Sequence, residues 1–213
     1  MDVFGPAWEG HPEAFFTGWE QTVRDSDVVL IPGDISWAMN LPDALVDLKR
    51  IAALPGQKVL LRGNHDYWWP SISRLRAHLP ESMYAIQNDA LQLGNIVISG
   101  SRGWMAPGSH GFTEHDEKIW QRELARLRLS LNAAAQLNGS FHVVMMHFPP
   151  TNVRLELNEL TEMLIAAKPD ALVFGHVHSA EERVLRELGD IAVHFVAADA
   201  LRFIPAIIKE FPS

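Results

Sequence analysis

The chain has 213 residues, of which 47% are hydrophobic and 21% are charged. This size and balance predict a single globular domain over residues 1–213. The absence of cysteine excludes disulfides, thiolate metal sites and cysteine nucleophiles, and it fits a reducing cytoplasm. No apolar run approaches the roughly 20 residues that span a bilayer, and the first residues lack the features of a secretory signal. We therefore expect a cytoplasmic protein with no membrane partner.

The formal net charge of −8 disfavours nucleic acid as a partner, because proteins that grip its backbone usually carry a basic surface. An acidic protein can still act on phosphate esters if bound metal ions reverse the local charge. The oligomeric state is not indicated by any pattern in the sequence.

In chain order, apolar runs of strand length alternate with helical stretches, which predicts an α/β fold. Strands are predicted at 27–31, 58–61, 141–146, 171–174 and 191–197, with further β structure over 201–208 and a hairpin over 91–99 that turns at Gly94-Asn95. Helices are predicted at 42–54, 113–137 and 156–167; Asn40 or Leu41 lies near the start of the first, and Thr113 caps the second.

Four of the predicted strands end in residues that can bind a metal: Gly33-Asp34, Gly63-Asn64-His65-Asp66, His147 and Gly175-His176-Val177-His178. Each strand ending alone is weak evidence for a metal site, because a strand often stops at a turn or at a packed histidine. Ligands nevertheless collect at the carboxyl ends of strands in open α/β sheets. His176 and His178 are two residues apart, so in an extended segment they would point the same way and share a metal cluster.

These residues, in this order, resemble the calcineurin-like metallophosphoesterase superfamily. Its signature runs Asp-x-His, Gly-Asp, Gly-Asn-His-(Asp/Glu), His and Gly-His-x-His. Trp68-Trp69, the Gly103-Trp104 loop and residues 198–203 resemble a bacterial subgroup of predicted phosphohydrolases. The resemblance implies a four-layer α/β/β/α sandwich, with the metals at one edge of its sheets.

The resemblance also implies a role for each site residue. Asp34 would bridge two metals, and the second metal would be completed by Asn64 (through its amide oxygen), His147 and His176, whereas His178 would belong to the first metal. His65 would protonate the leaving oxygen or stabilise charge on the phosphoryl group. Asp66 would orient His65 and raise its basicity.

The implied activity is hydrolysis of phosphomonoesters or phosphodiesters by metal-activated water, so the expected partner is a small-molecule or other phosphate ester. Carboxylate, amide and imidazole ligands suit Mn²⁺, Fe or Zn²⁺, and the expected centre is dinuclear. Arg102 is a candidate for substrate binding through its guanidinium, although a surface arginine beside a turn is an equal interpretation. Trp68, Trp69 and Trp104 are interpreted as core packing rather than as a stacking surface.

The first motif of the signature is absent, because no aspartate is followed two residues later by histidine. The first core strand of the fold is therefore expected to be missing, which would lower stability. Met1 could be an internal methionine of a longer protein, or the protein could be shortened and bind one metal. Alternatively, other residues could supply the ligands, with Asp2, His11, His115 and Asp116 as candidates. A non-catalytic or impaired module that binds a metal or phosphate ligand is the alternative function.

Overall fold

A computed structural model describes residues 8–178 and 183–211. In chain order its elements are α1 (His11–Thr22), β1 (Val28–Ile31), α2 (Leu41–Ala52), β2 (Gln57–Leu60), α3 (Ile72–Arg76), β3 (Met83–Ala85), β4 (Ala90–Leu93), β5 (Ile96–Ser101), α4 (Glu114–Ala134), β6 (Phe141–Met146), α5 (Glu159–Ala167), β7 (Ala171–Phe174), β8 (Glu187–Leu188) and β9 (Ile191–Phe195). Within these two ranges, no helix has both the length and the apolar character needed to cross a membrane.

The strands form two sheets. The smaller sheet has the order β1-β2-β3, and its strands are parallel. The larger sheet has the order β4-β5-β6-β7-β9-β8, in which β5, β6, β7 and β9 are parallel and an antiparallel hairpin closes each edge. Parallel pairing aligns the carboxyl ends of neighbouring strands, so the loops that follow them lie at a common edge of each sheet.

Three apolar clusters define the layers of the fold. Successive residues of β2 point to opposite faces of the small sheet, so Leu60 packs with helix α2 while Val59 packs against the large sheet. The outer face of the large sheet packs on helices, as Leu172 of β7 does with Leu127 of α4. Helices thus cover the outside of two stacked sheets, which confirms the predicted α/β sandwich.

Local sequence signals place two of the helix starts. Asn40 precedes α2, and its side chain accepts the N–H of Asp43 at 3.1 Å. Thr113 and Asp116 form a reciprocal capping box at the start of α4, as the polar first turn predicted. Helix α5 begins three residues later than the predicted start at residue 156, because Asn158 accepts the N–H groups of its first turn.

The β structure predicted over 201–208 is wrong. Residues 201–203 form a turn, and residues 204–211 carry no strand hydrogen bonding within the described ranges. An apolar, β-branched segment becomes a strand only where a neighbouring strand offers its free backbone groups. Residues 204–211 line the same groove as β1 without pairing with it, and Pro205 lacks a backbone donor of its own.

Candidate metal centre

The four polar strand ends predicted from the sequence lie at one edge of the sandwich. Gly33-Asp34 follows β1 and Asn64 follows β2 in the small sheet, while His147 follows β6 and His176 follows β7 in the large sheet. Backbone bonds hold the two histidine loops in register: the N–H of His147 donates to the Arg102 carbonyl at 3.1 Å, and the N–H of Gly175 donates to the His147 carbonyl at 3.2 Å.

Four of the predicted ligands converge. One ligand atom each of Asp34, His147 and His176 lies within 4.8 Å of the other two. The Oδ1 atom of Asn64 lies 2.7 Å from Nε2 of His147. Residues up to 115 positions apart in the chain, such as Pro32 and His147, are therefore in direct contact at this site.

The hydrogen bonding of His147 shows which atoms face the centre of the cluster. Its Nδ1 lies 2.8 Å from the carbonyl oxygen of Pro32, which only accepts, so Nδ1 carries the proton and Nε2 keeps its lone pair. That Nε2 faces Asn64 Oδ1 at 2.7 Å, His176 Nδ1 at 3.1 Å and Asp34 Oδ2 at 3.4 Å. Electron-pair donors that crowd together in this way fit a bound cation, which would accept from all of them.

The two imidazoles are held in the neutral form. Burial lowers the pKa of His147, against the attraction of the Asp34 carboxylate. Burial also lowers the pKa of His176 to about 4, and the neighbouring His147 adds to that effect. Neutral imidazoles bind metals without first releasing a proton, so this pair is ready to act as ligands near neutral pH.

Two of the candidate ligands have left-handed backbone conformations. Asp34 has φ +56° and His176 has φ +71°. The His176 conformation closes a tight turn in which the N–H of Val177 donates to the Gly175 carbonyl at 2.9 Å. Such backbone strain persists only where surrounding contacts impose it, and it is concentrated at functional sites.

Gly63 is required for the close approach of the two loops in the small sheet. A Cβ atom at Gly63 would overlap the carboxylate and the backbone nitrogen of Asp34. The glycine that opens Gly63-Asn64-His65-Asp66 therefore makes room for the carboxylate that follows the neighbouring strand.

The contacts of Asp66 differ from the predicted ones. Its buried carboxylate accepts the backbone N–H groups of Gly63 (2.7 Å), Asp34 (2.8 Å), Ile35 (2.8 Å) and Ser36 (3.3 Å) and the indole N–H of Trp68 (3.0 Å). Burial raises the pKa of this carboxyl, and the backbone donors oppose that rise by stabilising its charged form. None of the described hydrogen bonds joins Asp66 to the imidazole of His65. Through these hydrogen bonds, the Asp66 carboxylate instead links the loop after β1 to the loop after β2.

His65 lies beside the cluster within a group of aromatic side chains. Its backbone N–H donates to Oδ1 of Asp34 at 2.9 Å. Its ring stacks on Trp37, with centroids 5.4 Å apart and an angle of 11° between the planes, and Tyr67 meets it edge-on at 6.1 Å. Trp37 was not identified from the sequence, because a single tryptophan in the loop after β1 carries no pattern.

His178 is not part of the ligand group. Its Nδ1 lies 3.6 Å from Oδ1 of Asp199, and its side chain is 37% exposed. The sequence places His178 at the other metal of a dinuclear centre, and that assignment stays a prediction; the left-handed conformation of His176 separates the two imidazoles more than an extended segment would. His178 and Asp199 instead form a separate pair.

Arg102 contacts Glu123 of helix α4 and Trp104 in the loop after β5. Its Nη2 lies 3.7 Å from Oε1 of the buried Glu123, and its guanidinium lies over the Trp104 ring at 4.8 Å. The Nε atom of Arg102 is buried and has no hydrogen-bond partner among the described residues. Trp68 and Trp69 are buried in the core, as predicted.

The substitute ligands considered for the absent motif do not join the cluster within the described ranges. His11 has its Nδ1 2.9 Å from the Trp8 carbonyl. His115 lies in the first turn of α4, and Asp116 caps that helix and accepts the indole N–H of Trp104 at 3.0 Å. Asp2 lies outside the described residues.

The fold and the cluster together define an α/β sandwich with a metal-ligand site where strands of both sheets end. The family model described as calcineurin-like phosphoesterase matches residues 8–180, so this chain belongs to that family. Among solved structures, the chain is similar to a protein of unknown function from Aquifex aeolicus, with 18% identity and a TM-score of 0.49 over 92% of this chain and 81% of that one. No curated protein matches the chain.

Proposed function

We propose that this protein is a metal-dependent hydrolase of phosphomonoesters or phosphodiesters, with a divalent cation held by Asp34, Asn64, His147 and His176. The observation that carries the proposal is the convergence of one carboxylate, one amide and two imidazoles with their electron pairs facing one another. Membership of the calcineurin-like phosphoesterase family supports the reaction class.

The ligand set fits Mn²⁺, Fe or Zn²⁺, because oxygen and imidazole nitrogen atoms suit these ions. A bound ion of this kind lowers the pKa of water and withdraws charge from phosphoryl oxygens. The ligand group contains one carboxylate, so its single negative charge leaves a divalent cation with positive charge to spare. That surplus attracts an anionic ester to an otherwise acidic protein.

Three residues of the chain take the remaining roles in the reaction. His65 donates a proton to the leaving oxygen, which its place beside Asp34 supports. Asp66 keeps the two ligand loops of the small sheet together, and thereby positions Asp34. Arg102, whose buried Nε lacks a described partner, binds an oxygen of the phosphoryl group.

The described residues contain one group of three or more such ligands, so we propose one tight cation site at the cluster. A dinuclear centre needs further ligands for its other ion, and the pair of His178 with Asp199 is its candidate on this chain.

The test uses purified protein, Mn²⁺ and chromogenic aryl phosphate mono- and diesters. Asp34→Asn removes the only negative charge of the ligand group, and His176→Ala deletes a ligand, so each should lower kcat/KM by two or more orders of magnitude and remove bound metal. Asp190→Asn and His110→Ala, which change exposed residues of the same types, should leave both quantities unchanged. Activity that survives both ligand substitutions would falsify the proposal.

A non-catalytic metal-binding module is the second candidate. The single ligand group in the described part of the chain favours it, because phosphoester hydrolysis often uses two ions. It predicts about one metal per chain and no turnover even with excess Mn²⁺, so metal content and activity measured on the same sample separate the two functions.

A further inference from the structure

Four arginines from three parts of the fold lie close together. Arg62 follows β2 in the small sheet and Arg102 follows β5 in the large sheet, whereas Arg122 and Arg126 lie on α4. Burial lowers the pKa of Arg102, Glu123 opposes that fall, and the positive charges of the three other arginines add to it. Because like charges repel one another, this arginine cluster destabilises the fold unless something binds between its members.

Glu123 is the carboxylate that pairs with the arginine cluster. It is buried, and its Oε1 atom lies 3.7 Å from Nη2 of Arg102 and 2.6 Å from Nη1 of Arg126. One carboxylate does not neutralise four guanidinium groups, which stay charged at any ordinary pH. The arginine cluster therefore keeps a positive charge, although the whole chain has a net charge of −8.

Two of the four guanidinium groups have an unused donor. The Nε atoms of Arg62 and Arg102 are buried, and neither has a hydrogen-bond partner among the described residues. A buried donor without an acceptor is unfavourable, and native proteins contain few of them. An anion with several oxygen atoms would accept from these donors and would also offset the surplus positive charge.

The arginine cluster adjoins the ligand group of the proposed cation site. The carbonyl oxygen of Arg102 accepts the backbone N–H of His147 at 3.1 Å and that of Phe148 at 3.0 Å. Burial and the charge of Arg102 both lower the pKa of His147. Arg62 is two residues before Asn64, in the same loop after β2. Groups bound at the two places are therefore near enough to belong to one molecule.

We propose that the arginine cluster is a second phosphate-binding site, which holds a phosphate group of the substrate other than the one that is cleaved. Guanidinium groups bind phosphate through paired N–H donors, and several of them together favour a doubly charged phosphate over a carboxylate. The substrate class is then a phosphate ester that carries a second phosphate group.

This inference has two parts with different dependence on the proposed function. Binding of phosphate by the arginine cluster stands without it, because the arginines and not a cation hold the anion. The use of that site for a second group of the substrate rests on the proposed function. Arg102, which the proposed function places at the cleaved phosphoryl group, then lies between the two phosphates.

The first experiment is isothermal titration of inorganic phosphate into the full chain after chelator treatment, at constant ionic strength. We expect one saturable site in the absence of metal. Arg62→Gln and Arg126→Gln should each weaken binding about tenfold or more, because each removes a charged donor of the site. Arg128→Gln removes an exposed arginine of the same helix as Arg126 and should leave phosphate affinity unchanged.

Arg126 makes this test independent of folding. Its side chain is 42% exposed on α4, so Arg126→Gln removes little buried packing. Arg126→Lys should restore part of the lost affinity, since an ammonium group supplies the charge but not the planar pair of donors. Circular dichroism of each variant verifies that the chain is folded.

The second experiment measures phosphate release with Mn²⁺ from pairs of alkyl esters that differ by one phosphate group. The bisphosphates of ethanediol, propanediol and butanediol are compared with the matching monophosphates, so that the spacing between the two sites is not assumed. We expect kcat/KM to be about tenfold higher or more for one of the bisphosphates. Arg62→Gln should lower this ratio toward one, and Arg128→Gln should preserve it.

Three results of the titration would overturn the phosphate site: no saturable binding to the metal-free chain, binding that appears only with Mn²⁺, or equal affinity of Arg126→Gln and the wild type. A bisphosphate preference of one for every spacing, in an active enzyme, would overturn the assignment to the substrate. The absence of all hydrolysis would contradict the proposed function instead, and the titration would still decide whether the arginine cluster binds phosphate.

Discussion

The buried carboxylate of Asp66 accepts the backbone N–H of Asp34 at 2.8 Å, so one aspartate holds the main chain of the other in its left-handed conformation. The same carboxylate accepts the N–H of Gly63 from the neighbouring loop. The position of Asp34, the carboxylate of the proposed cation site, is therefore set by the carboxylate of Asp66.

We predict that Asp66→Asn lowers the free energy of unfolding by about 2–4 kcal/mol, because the amide replaces one acceptor oxygen with a donor among buried N–H groups. Metal affinity should fall about 10–100-fold, since Asp34 loses its support. Urea unfolding and isothermal titration with Mn²⁺ measure the two effects. Asp190→Asn is the exposed control, and an Asp66→Asn protein as stable and as tight-binding as the control would contradict the prediction.

The steric argument at Gly63 gives a second prediction. Gly63→Ala should cost about 1–3 kcal/mol and weaken Mn²⁺ binding at least tenfold, because its Cβ displaces the Asp34 loop. Gly175→Ala, next to His176, is a matched control, since the nearest atom to its added Cβ is 4.0 Å away on Pro32. Equal effects of the two substitutions on metal affinity would show that the crowding at Gly63 is unimportant.

The lowered pKa of His176 predicts acid sensitivity of the metal-free protein. Its pKa is about 4 in the folded chain, against an ordinary value of 6.5. Between these pH values the unfolded chain binds a proton that the folded chain does not, so stability falls as the pH is lowered from 6.5 toward 4. The loss attributable to His176 should be of order 2–3 kcal/mol.

The measurement is urea unfolding of chelator-treated protein at several pH values in this window. His176→Gln, which cannot titrate there, should flatten the dependence. A pH profile identical to that of the wild type would mean that His176 does not bind its proton differently in the folded and unfolded chains.

His65 should affect turnover without affecting metal content. His65→Gln removes the proposed proton donor but no cation ligand, so kcat should fall about 10²–10⁴-fold while the metal-to-protein ratio stays constant. Colorimetric assays and metal analysis of the same preparation check both parts, with His110→Gln as the exposed control. Loss of metal in the His65 variant would make it a ligand or a structural residue instead.

The positions of the site residues could be predicted from the sequence where strand geometry alone determines them. His147 follows an apolar strand directly, Asp34 and Asn64 follow theirs within four residues, and parallel pairing brings such strand ends together. The separation of His178 from His176 could not be predicted, because the i, i+2 rule holds for extended chain and the left-handed turn at His176 has no signature in a non-glycine residue.

Other features depend on distant partners in the same way. Residues 201–208 have β-forming composition, but a strand also needs a free edge beside it, and composition does not reveal one. The contacts of Asp66 could not be predicted, because its sequence neighbour is His65, whereas its hydrogen bonds reach residues 30 to 32 positions earlier. The stacking of Trp37 on His65 depends on how the loops after β1 and β2 lie relative to each other, which the sequence does not indicate.

The most direct test is a crystal structure of the protein grown with Mn²⁺ and recorded with anomalous scattering from manganese. We predict a peak about 2.0–2.2 Å from Asp34 Oδ2, Asn64 Oδ1, His147 Nε2 and His176 Nδ1, where these four atoms converge. A crystal saturated with Mn²⁺ that shows its peaks elsewhere, with His147 and His176 still bonded to each other, would contradict the account.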